Sequence, residues 1–141
     1  MIDLNLSAIL IPSKTTEVEF PGYPNFKLSL CFLSRDELVK IRKKATKTKF
    51  DRKTRQPIDE VDDDLFLRLY VDAIVKGWSG FKLKYLTQLM PIDATGFKDL
   101  EDELAFTADN AFALMKNSPD FDSFVSDTTG DLQNFTKASS K

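Results

Sequence analysis

The sequence predicts an α+β fold: a mostly helical single domain with an N-terminal β-hairpin or small antiparallel sheet and about five helices. Two observations lead to this class. Strict alternation of apolar and polar residues occurs only near the N-terminus, at Phe26, Leu28, Leu30 and Phe32. From Ser34 onward, apolar residues recur at spacings of three and four behind helix-capping residues. With 141 residues, the chain is expected to form one domain over residues 1–135 and a disordered tail over 136–141.

The predicted hairpin spans Glu17 to Leu33 and turns at Pro21-Gly22-Tyr23-Pro24. A lone hairpin is marginally stable in water, so this one must pack on helices or pair with a further strand. Residues 1–15 are the candidate for that strand. The apolar run Ala8-Ile9-Leu10-Ile11 within this segment is equally compatible with an arm that docks on a neighbouring molecule.

Ser34 and Glu37 form a capping box that begins a basic helix, which is expected to fade near residues 46–48. A long polar connection over 49–60 should follow. Asp62, Asp63 and Asp64 then suit the first turn of the next helix.

This next helix, predicted over residues 62–76, is expected to be the element on which the other elements pack. Its apolar stripe comprises Leu65, Phe66, Leu69, Tyr70, Ala73 and Ile74. Gly77 can end the helix in a left-handed conformation, and the Trp78 ring can then fold back onto it.

Three further helices are predicted in the C-terminal half. The first covers residues 81–90, and an irregular acidic loop follows over 93–103. Thr107 caps the second, whose inner face carries Ala111, Leu114 and Met115. Ser118 caps the third, with Pro119 in its first position and a stripe at Phe121, Phe124, Val125 and Thr128.

The chemistry of the side chains argues against an enzyme and predicts no cofactor and no metal. The sequence has no histidine, which is the commonest general base and metal ligand. Cys31 is the only cysteine and lies in a strand pattern, so a structural thiol is expected. The run Asp62-Asp63-Asp64 lacks the spacing of a calcium loop, and no glycine-rich phosphate loop is present.

Nothing near Met1 has the pattern of a signal peptide, and no apolar run approaches the length that spans a membrane. We therefore expect a protein of the cytoplasm without a membrane partner.

The formal net charge of -2 conceals a strong asymmetry in how charge is distributed along the chain. Between Lys40 and Arg55 every charged side chain except Asp51 is basic, whereas residues 59–64 and 99–103 are acidic.

The basic segment has three interpretations. It can be a solvated surface that the chain's own aspartates neutralise, a surface for an acidic protein, or a nucleic-acid contact. Nucleic acid is the least favoured of these, because Phe50 is the only stacking platform in the segment and the isoelectric point is about 5.2.

The twelve phenylalanines suggest an aromatic-rich core or an exposed apolar groove that captures an amphipathic helix.

Several short motifs resemble those of one protein family. They are Phe50-Asp51-Arg52-Lys53-Thr54, Gln56-Pro57, Leu69-Tyr70, Lys76-Gly77-Trp78, Asn110-Ala111, Leu114-Met115-Lys116 and Phe121-Asp122. Together with the order of elements, they resemble the tail assembly chaperones of long, non-contractile-tailed bacteriophages. The resemblance extends from about Glu17 to Phe135.

The resemblance implies a non-enzymatic assembly factor. Such chaperones bind the long helical tape measure protein, keep it soluble, help to recruit tail tube protein and are absent from the finished virion. In many relatives a ribosomal frameshift adds a second domain, so a longer form of the chain is a further candidate partner. The resemblance places the protein in the host cytoplasm during phage assembly.

Our hypothesis for the partner-binding site combines basic and aromatic side chains. The basic set is expected to steer acidic stretches of the partner, and the aromatic set is expected to capture a helix. The residues are Lys43, Lys44, Lys47, Lys49, Arg52, Lys53, Arg55, Phe66, Tyr70, Trp78, Phe121 and Phe124. Two alternatives stay open: a small nucleic-acid-associated regulator that uses residues 40–55, and a structural tail component that is retained in the particle.

Overall fold

The computed structural model describes residues 1–11 and 13–131, and it confirms the α+β class. These residues form six helices and five strands. In chain order they are α1 (Leu6–Ile9), β1 (Ser13–Glu19), β2 (Lys27–Leu33), α2 (Arg35–Lys44), β3 (Thr46–Phe50), β4 (Pro57–Val61), α3 (Asp63–Ile74), β5 (Val75–Ser79), α4 (Leu83–Leu89), α5 (Ala108–Asn117) and α6 (Pro119–Thr129). The predictions for residues 132–141 lie outside the described residues.

The predicted N-terminal hairpin is confirmed as β1 and β2, which pair antiparallel from Ser13 opposite Leu33 to Glu19 opposite Lys27. The backbone N–H of Phe20 donates to the carbonyl of Phe26 at 2.9 Å and closes the turn. The hairpin is stabilised by a third strand, as a marginal hairpin requires. That strand is β5, which gives the sheet the order β1-β2-β5.

The helix termination predicted at Lys76 and Gly77 is wrong. Helix α3 ends at Ile74, the backbone of Val75 is already extended, and β5 runs antiparallel to β2 with Trp78 opposite Leu28. Gly77 lies within this strand and does not adopt a left-handed conformation. The free edge of β2 satisfies the backbone groups of β5, and this long-range pairing replaces a local helix cap.

Helix α3 is central, as predicted, because it packs against α2, α5, β2 and β5. Its core-facing residues, however, are Leu67, Tyr70, Val71 and Ile74. Leu65, Phe66, Leu69 and Ala73 are half-buried and lie outside the core cluster. The helix is apolar on most of its circumference, so periodicity allowed two overlapping stripes, and packing against its neighbours selected one of them.

The predicted helix caps are confirmed by hydrogen bonds from backbone N–H groups to side-chain oxygens. Ser34 accepts from Glu37 at 3.3 Å, Asp62 from Leu65 at 3.1 Å, Thr107 from Asn110 at 3.0 Å and Ser118 from Phe121 at 3.3 Å. The predicted inner faces of α5 and α6 are buried, apart from Phe124, which is half-buried.

The aromatic side chains form a network inside the domain rather than an exposed groove. Phe26 is fully buried, and its ring centroid lies 5.3 Å from Phe20, 4.3 Å from Phe81 and 6.3 Å from Tyr85. Trp78 packs edge-on against Phe81, and its indole N–H donates to the carbonyl of Leu104 at 2.9 Å. These contacts, together with a second edge-on contact to Phe106, make Trp78 part of the aromatic network, and its packing on α3 stays a prediction.

Two predictions for irregular or terminal segments are also corrected. The polar connection predicted over 49–60 contains a second antiparallel hairpin, in which β3 pairs with β4 from Thr46 opposite Val61 to Phe50 opposite Pro57. Residues 1–11 form no strand. They contain only the four-residue helix α1, and every one of these residues is exposed.

Candidate functional site

The candidate site is formed by α2 and the β3–β4 hairpin, residues 35–61, which we call the basic lobe. Helix α2 packs on α3 and β2. The hairpin is joined to the domain at its base, where Ala45 is fully buried and the N–H of Asp62 donates to the Ala45 carbonyl at 2.8 Å. Residues 47–60 are exposed except for Asp51, so the hairpin has solvent on both faces.

The tip of the hairpin holds cations in a defined loop. The carboxylate of Asp51 accepts from the N–H of Lys53 at 2.9 Å and from the hydroxyl of Thr54 at 3.1 Å. The N–H of Arg55 donates to the Asp51 carbonyl at 2.7 Å, and Arg55 adopts a left-handed conformation with φ 57°. These contacts order the loop from which Arg52, Lys53 and Arg55 extend into solvent.

Strand alternation divides the hairpin into two faces. We call one the lysine face, and it carries Lys47, Lys49, Ile58 and Glu60. We call the other the threonine face, and it carries Thr46, Thr48, Phe50, Pro57, Asp59 and Val61.

The lysine face is neutralised within the chain. The Lys49 ammonium lies 2.8 Å from a Glu60 carboxylate oxygen, and this hydrogen-bonded ion pair raises the pKa of Lys49. A cleft of about 430 Å³ on this face is also lined by the acidic first turn of α3, at Asp62, Asp63 and Asp64. On this side the interpretation of the basic segment as an internally balanced surface is supported.

The threonine face is not balanced in the same way. A cleft of about 560 Å³ separates it from α2 and is lined by Val39, Arg42, Lys43, Thr46, Thr48, Asp59 and Val61. Asp59, the only carboxylate in this lining, accepts a hydrogen bond from the Thr48 hydroxyl at 3.0 Å. Within residues 1–11 and 13–131, neither Arg42 nor Lys43 has an ion-pair partner.

The lobe also exposes apolar side chains, of which Val39 lines this cleft and Phe50 lies on the threonine face at the tip. Val39 is 42% exposed, Leu38 is 36% exposed and Phe50 is 66% exposed. These residues, together with Arg42 and Val61, were not among the predicted site residues. The available signal was the apolar pair Leu38-Val39, which makes α2 apolar on two adjacent positions, and the single phenylalanine, Phe50, inside the basic segment.

The seven predicted basic site residues all lie in the basic lobe, although they do not share one face. Lys43 lines the threonine-face cleft, Lys47 and Lys49 belong to the lysine face, and Lys44 ends α2. The other three, Arg52, Lys53 and Arg55, are at the tip. Their role in partner binding stays a prediction.

The predicted aromatic site residues belong to the body of the domain. Phe121 is fully buried, so it is not part of any surface, and its assignment to the site is wrong. Phe66, Tyr70, Trp78 and Phe124 are half-buried. Phe66 stacks on Tyr70 at 6.0 Å, and Phe124 lies 4.7 Å from Phe20. Tyr70, Trp78 and Phe124 pack against the core cluster and Phe66 lies outside it; the role of these four rings in partner binding stays a prediction.

A second apolar surface is the N-terminal segment. Its large apolar side chains are all at least 60% exposed: Met1, Ile2, Leu4, Leu6, Ile9, Leu10 and Ile11. The segment therefore has the exposure expected of a docking arm, but nothing in the described residues shows what it contacts.

In the described part of the chain, no three histidine, cysteine, aspartate or glutamate side chains are grouped so that they could hold a metal ion. Over the same residues, no helix has both the length and the apolar character needed to cross a bilayer.

Comparison with known proteins gives one finding. No curated protein and no solved structure matches the chain. The family model of the YdaY prophage protein matches residues 34–141, which begin at the cap of α2 and include the whole basic lobe. The protein is therefore of phage origin and belongs to the YdaY prophage protein family.

Proposed function

We propose that this prophage protein is a tail assembly chaperone that binds the tape measure protein, keeps it soluble and helps to recruit tail tube subunits in the host cytoplasm. In this proposal the protein acts by binding alone and leaves before the virion is complete. Its phage origin agrees with such a role. A longer, frameshifted form of the chain is a further partner in the same proposal.

One observation carries the proposal: the basic lobe presents apolar side chains and cations that the fold does not use. Leu38, Val39 and Phe50 are exposed in this lobe, and Val39 lines a cleft together with Arg42 and Lys43. A tape measure protein offers long amphipathic helices, which aggregate when their apolar faces stay exposed. A surface that offers both apolar area and charge suits the capture of such helices.

The test is co-expression of the chain with the longest helical protein encoded in the same prophage. We expect this protein to be soluble and to copurify with the chain, and to precipitate when it is expressed alone. Equal solubility without the chain, with no complex, would contradict the proposal.

Mass spectrometry of purified particles separates the chaperone from a structural tail component. A chaperone is absent from the particles, whereas a retained component is present in a fixed ratio to the tube protein. A third measurement, binding of duplex DNA or RNA over a range of salt concentrations, tests the regulator alternative, which requires affinity that falls steeply with salt.

A further inference from the structure

We infer that the threonine face of the basic lobe is the docking site for an acidic amphipathic helix. The partner's apolar stripe packs against Val39, Val61 and Phe50, and its glutamates and aspartates pair with Arg42 and Lys43. This inference rests on the proposed function and names the surface and the chemistry of the partner segment.

The unequal charge of the two hairpin faces is the first argument. The lysine face has four carboxylates nearby, at Glu60 and Asp62–Asp64. The cleft on the threonine face has one, Asp59, and its two cations, Arg42 and Lys43, come from the facing wall of α2. Arg42 and Lys43 are exposed and have no carboxylate partner among residues 1–11 and 13–131. A cleft lined by two cations and one carboxylate, on a protein of net charge -2, favours an acidic partner by charge complementarity.

The dimensions and lining of the cleft are the second argument. The paired strands β3 and β4 are each five residues long, so the face extends about 13 Å between its end residues. This length corresponds to roughly two to three turns of an α-helix. Apolar residues lie at both ends of the face, Val61 at the base and Phe50 at the tip, with Val39 on the opposite wall. A helix with apolar residues at i, i+3, i+4 and i+7 presents a stripe of this length.

The same lining disfavours a phosphate backbone. Asp59 contributes a carboxylate to the cleft, and its charge repels phosphate, whereas a peptide can place a neutral or apolar side chain there. Valines in the lining provide no hydrogen-bond donors for phosphate oxygens. An acidic polypeptide is therefore a better fit than nucleic acid.

The chain's own N-terminal segment is a poorer match for the cleft. Residues 1–11 contain one acidic side chain, Asp3. Such a segment would leave most of the lobe's cations unpaired. We therefore commit to a partner helix, and make docking of a second copy an outcome of the test.

The test uses two designed twenty-residue helical peptides as probes, both with a leucine stripe. One has glutamates on its polar face and the other has lysines at the same positions. We expect the full-length protein to bind the acidic peptide and not the basic one. Binding should weaken as NaCl rises, because the Debye length falls from about 8 Å at 0.15 M to about 3 Å at 1 M.

Variants that change the charge at Arg42 and Lys43 test whether these two residues form the binding site for the acidic peptide. The double variant Arg42→Glu/Lys43→Glu should weaken binding of the acidic peptide by at least about tenfold and gain affinity for the basic peptide. Glutamates in the last turn of α2 are unfavourable for the helix, so Arg42→Gln/Lys43→Gln serves as a second variant. The control Lys76→Glu/Lys98→Glu makes the same change in net charge at exposed positions outside the lobe and should bind normally.

Two variants that each remove an exposed apolar side chain test whether the apolar residues of the site contact the peptide. Phe50→Thr should weaken binding of the acidic peptide, whereas Leu100→Thr, which also removes an exposed apolar side chain, should not. Equal effects of the lobe variants and their controls would overturn the inference. Duplex DNA binding in place of peptide binding, or loss of peptide binding when residues 1–11 are deleted, would overturn it as well.

This test and that of the proposed function can fail separately. If the prophage's helical protein forms a complex that the lobe variants leave unchanged, the chaperone function stands and the docking site is wrong. If the peptides behave as expected but no prophage protein is solubilised, the docking site stands and the chaperone function is wrong.

Discussion

In the body of the domain, Phe26 is fully buried and its ring contacts three other aromatic rings. In the basic lobe, Phe50 is 66% exposed and contacts no other aromatic ring in the described part of the chain. Some cations differ in the same way, although Lys49 of the lobe is paired with Glu60. Lys82 and Lys84 of the body both pair with Glu101, whereas Arg42 and Lys43 of the lobe pair with none of the described carboxylates.

This difference indicates which side chains stabilise the fold and which are left free to contact another molecule. Removing an aromatic ring of the body should cost stability, because the ring fills space that no other group can fill. Removing an apolar side chain of the lobe should leave stability unchanged, because water already surrounds it. Four predictions test this contrast, and they are given from the largest expected effect to the smallest.

The largest effect is expected for Phe26→Ala. The substitution leaves a cavity between Phe20, Phe81 and Tyr85, and it should lower the free energy of unfolding by about 3–5 kcal/mol. Denaturation in urea measures this loss. A change below about 1 kcal/mol would mean that the aromatic network relaxes around the cavity and is not a packed core.

The second prediction concerns Gly80, where β5 leads towards α4. Gly80 has φ +68°, and a Cβ built there lies 2.0 Å from the carbonyl oxygen of Asn25. Gly80→Ala should therefore lower the free energy of unfolding by roughly 2–4 kcal/mol, through backbone strain and steric overlap.

Gly77→Ala is the matched control for Gly80→Ala. A Cβ at Gly77 meets nothing within 4 Å, and its φ is not left-handed. The control should change the free energy of unfolding by less than about 0.5 kcal/mol. Equal losses for the two variants would show that the close approach to Asn25 is not what requires glycine at position 80.

The third prediction is a pH dependence in the body. Hydrogen bonds from Lys82 and Lys84 lower the pKa of Glu101 from 4.5 to about 2. A carboxyl group whose pKa is lower in the folded state stabilises the fold above its unfolded pKa, and this contribution is lost as the pH falls through the folded value.

Wild type and Glu101→Gln should therefore differ in unfolding free energy above about pH 4.5 and converge as the pH approaches 2. The group is exposed, so the difference should be small and should shrink in high salt. Urea denaturation of both proteins from pH 2 to 6 measures it. A difference that is constant over this range would mean that the ion pairs do not form in solution.

The smallest effect is expected in the lobe. Phe50→Thr and Ile58→Thr place a β-branched residue on each strand and remove apolar side chains that are 66% and 47% exposed. Neither should change the free energy of unfolding by more than about 0.5 kcal/mol. A loss above about 1.5 kcal/mol in either would break the comparison, since it would show that the lobe is part of the folding core.

The sequence predicted features whose cause is local. Ser34, Asp62, Thr107 and Ser118 cap helices because a side-chain oxygen three residues before a free backbone N–H can accept from it in any tertiary setting. The β1–β2 hairpin was predicted from alternation and dense turn residues, and its pairing joins neighbouring segments.

Failures of prediction have non-local causes. The strand β5 depends on the free edge of β2, which lies more than forty residues away in the chain. The β3–β4 hairpin has polar residues on both faces and a six-residue tip without glycine. It therefore offered neither a clear alternation of apolar and polar residues nor the two-residue turn that signals a hairpin.

The candidate site was predicted in part. Its basic residues stand out in the sequence as a run of one charge, and the structure places them in one lobe. Its apolar residues, such as Val39 and Phe50, could not be separated from core residues by type alone. Phe121 shows the opposite error, since a phenylalanine on a helical stripe is compatible with either a surface groove or a core.

By itself, the sequence determined the fold class, the helix starts, the first hairpin and the concentration of positive charge before the central helix. These depend on propensities, caps and charges that act within a few residues along the chain. Only the tertiary structure decided which aromatic rings are buried, which face of α3 meets the core and that Arg42 and Lys43 of the basic lobe have no ion-pair partner among the described residues. Burial and ion pairing depend on segments that are distant in sequence, and no local pattern records how those segments come together.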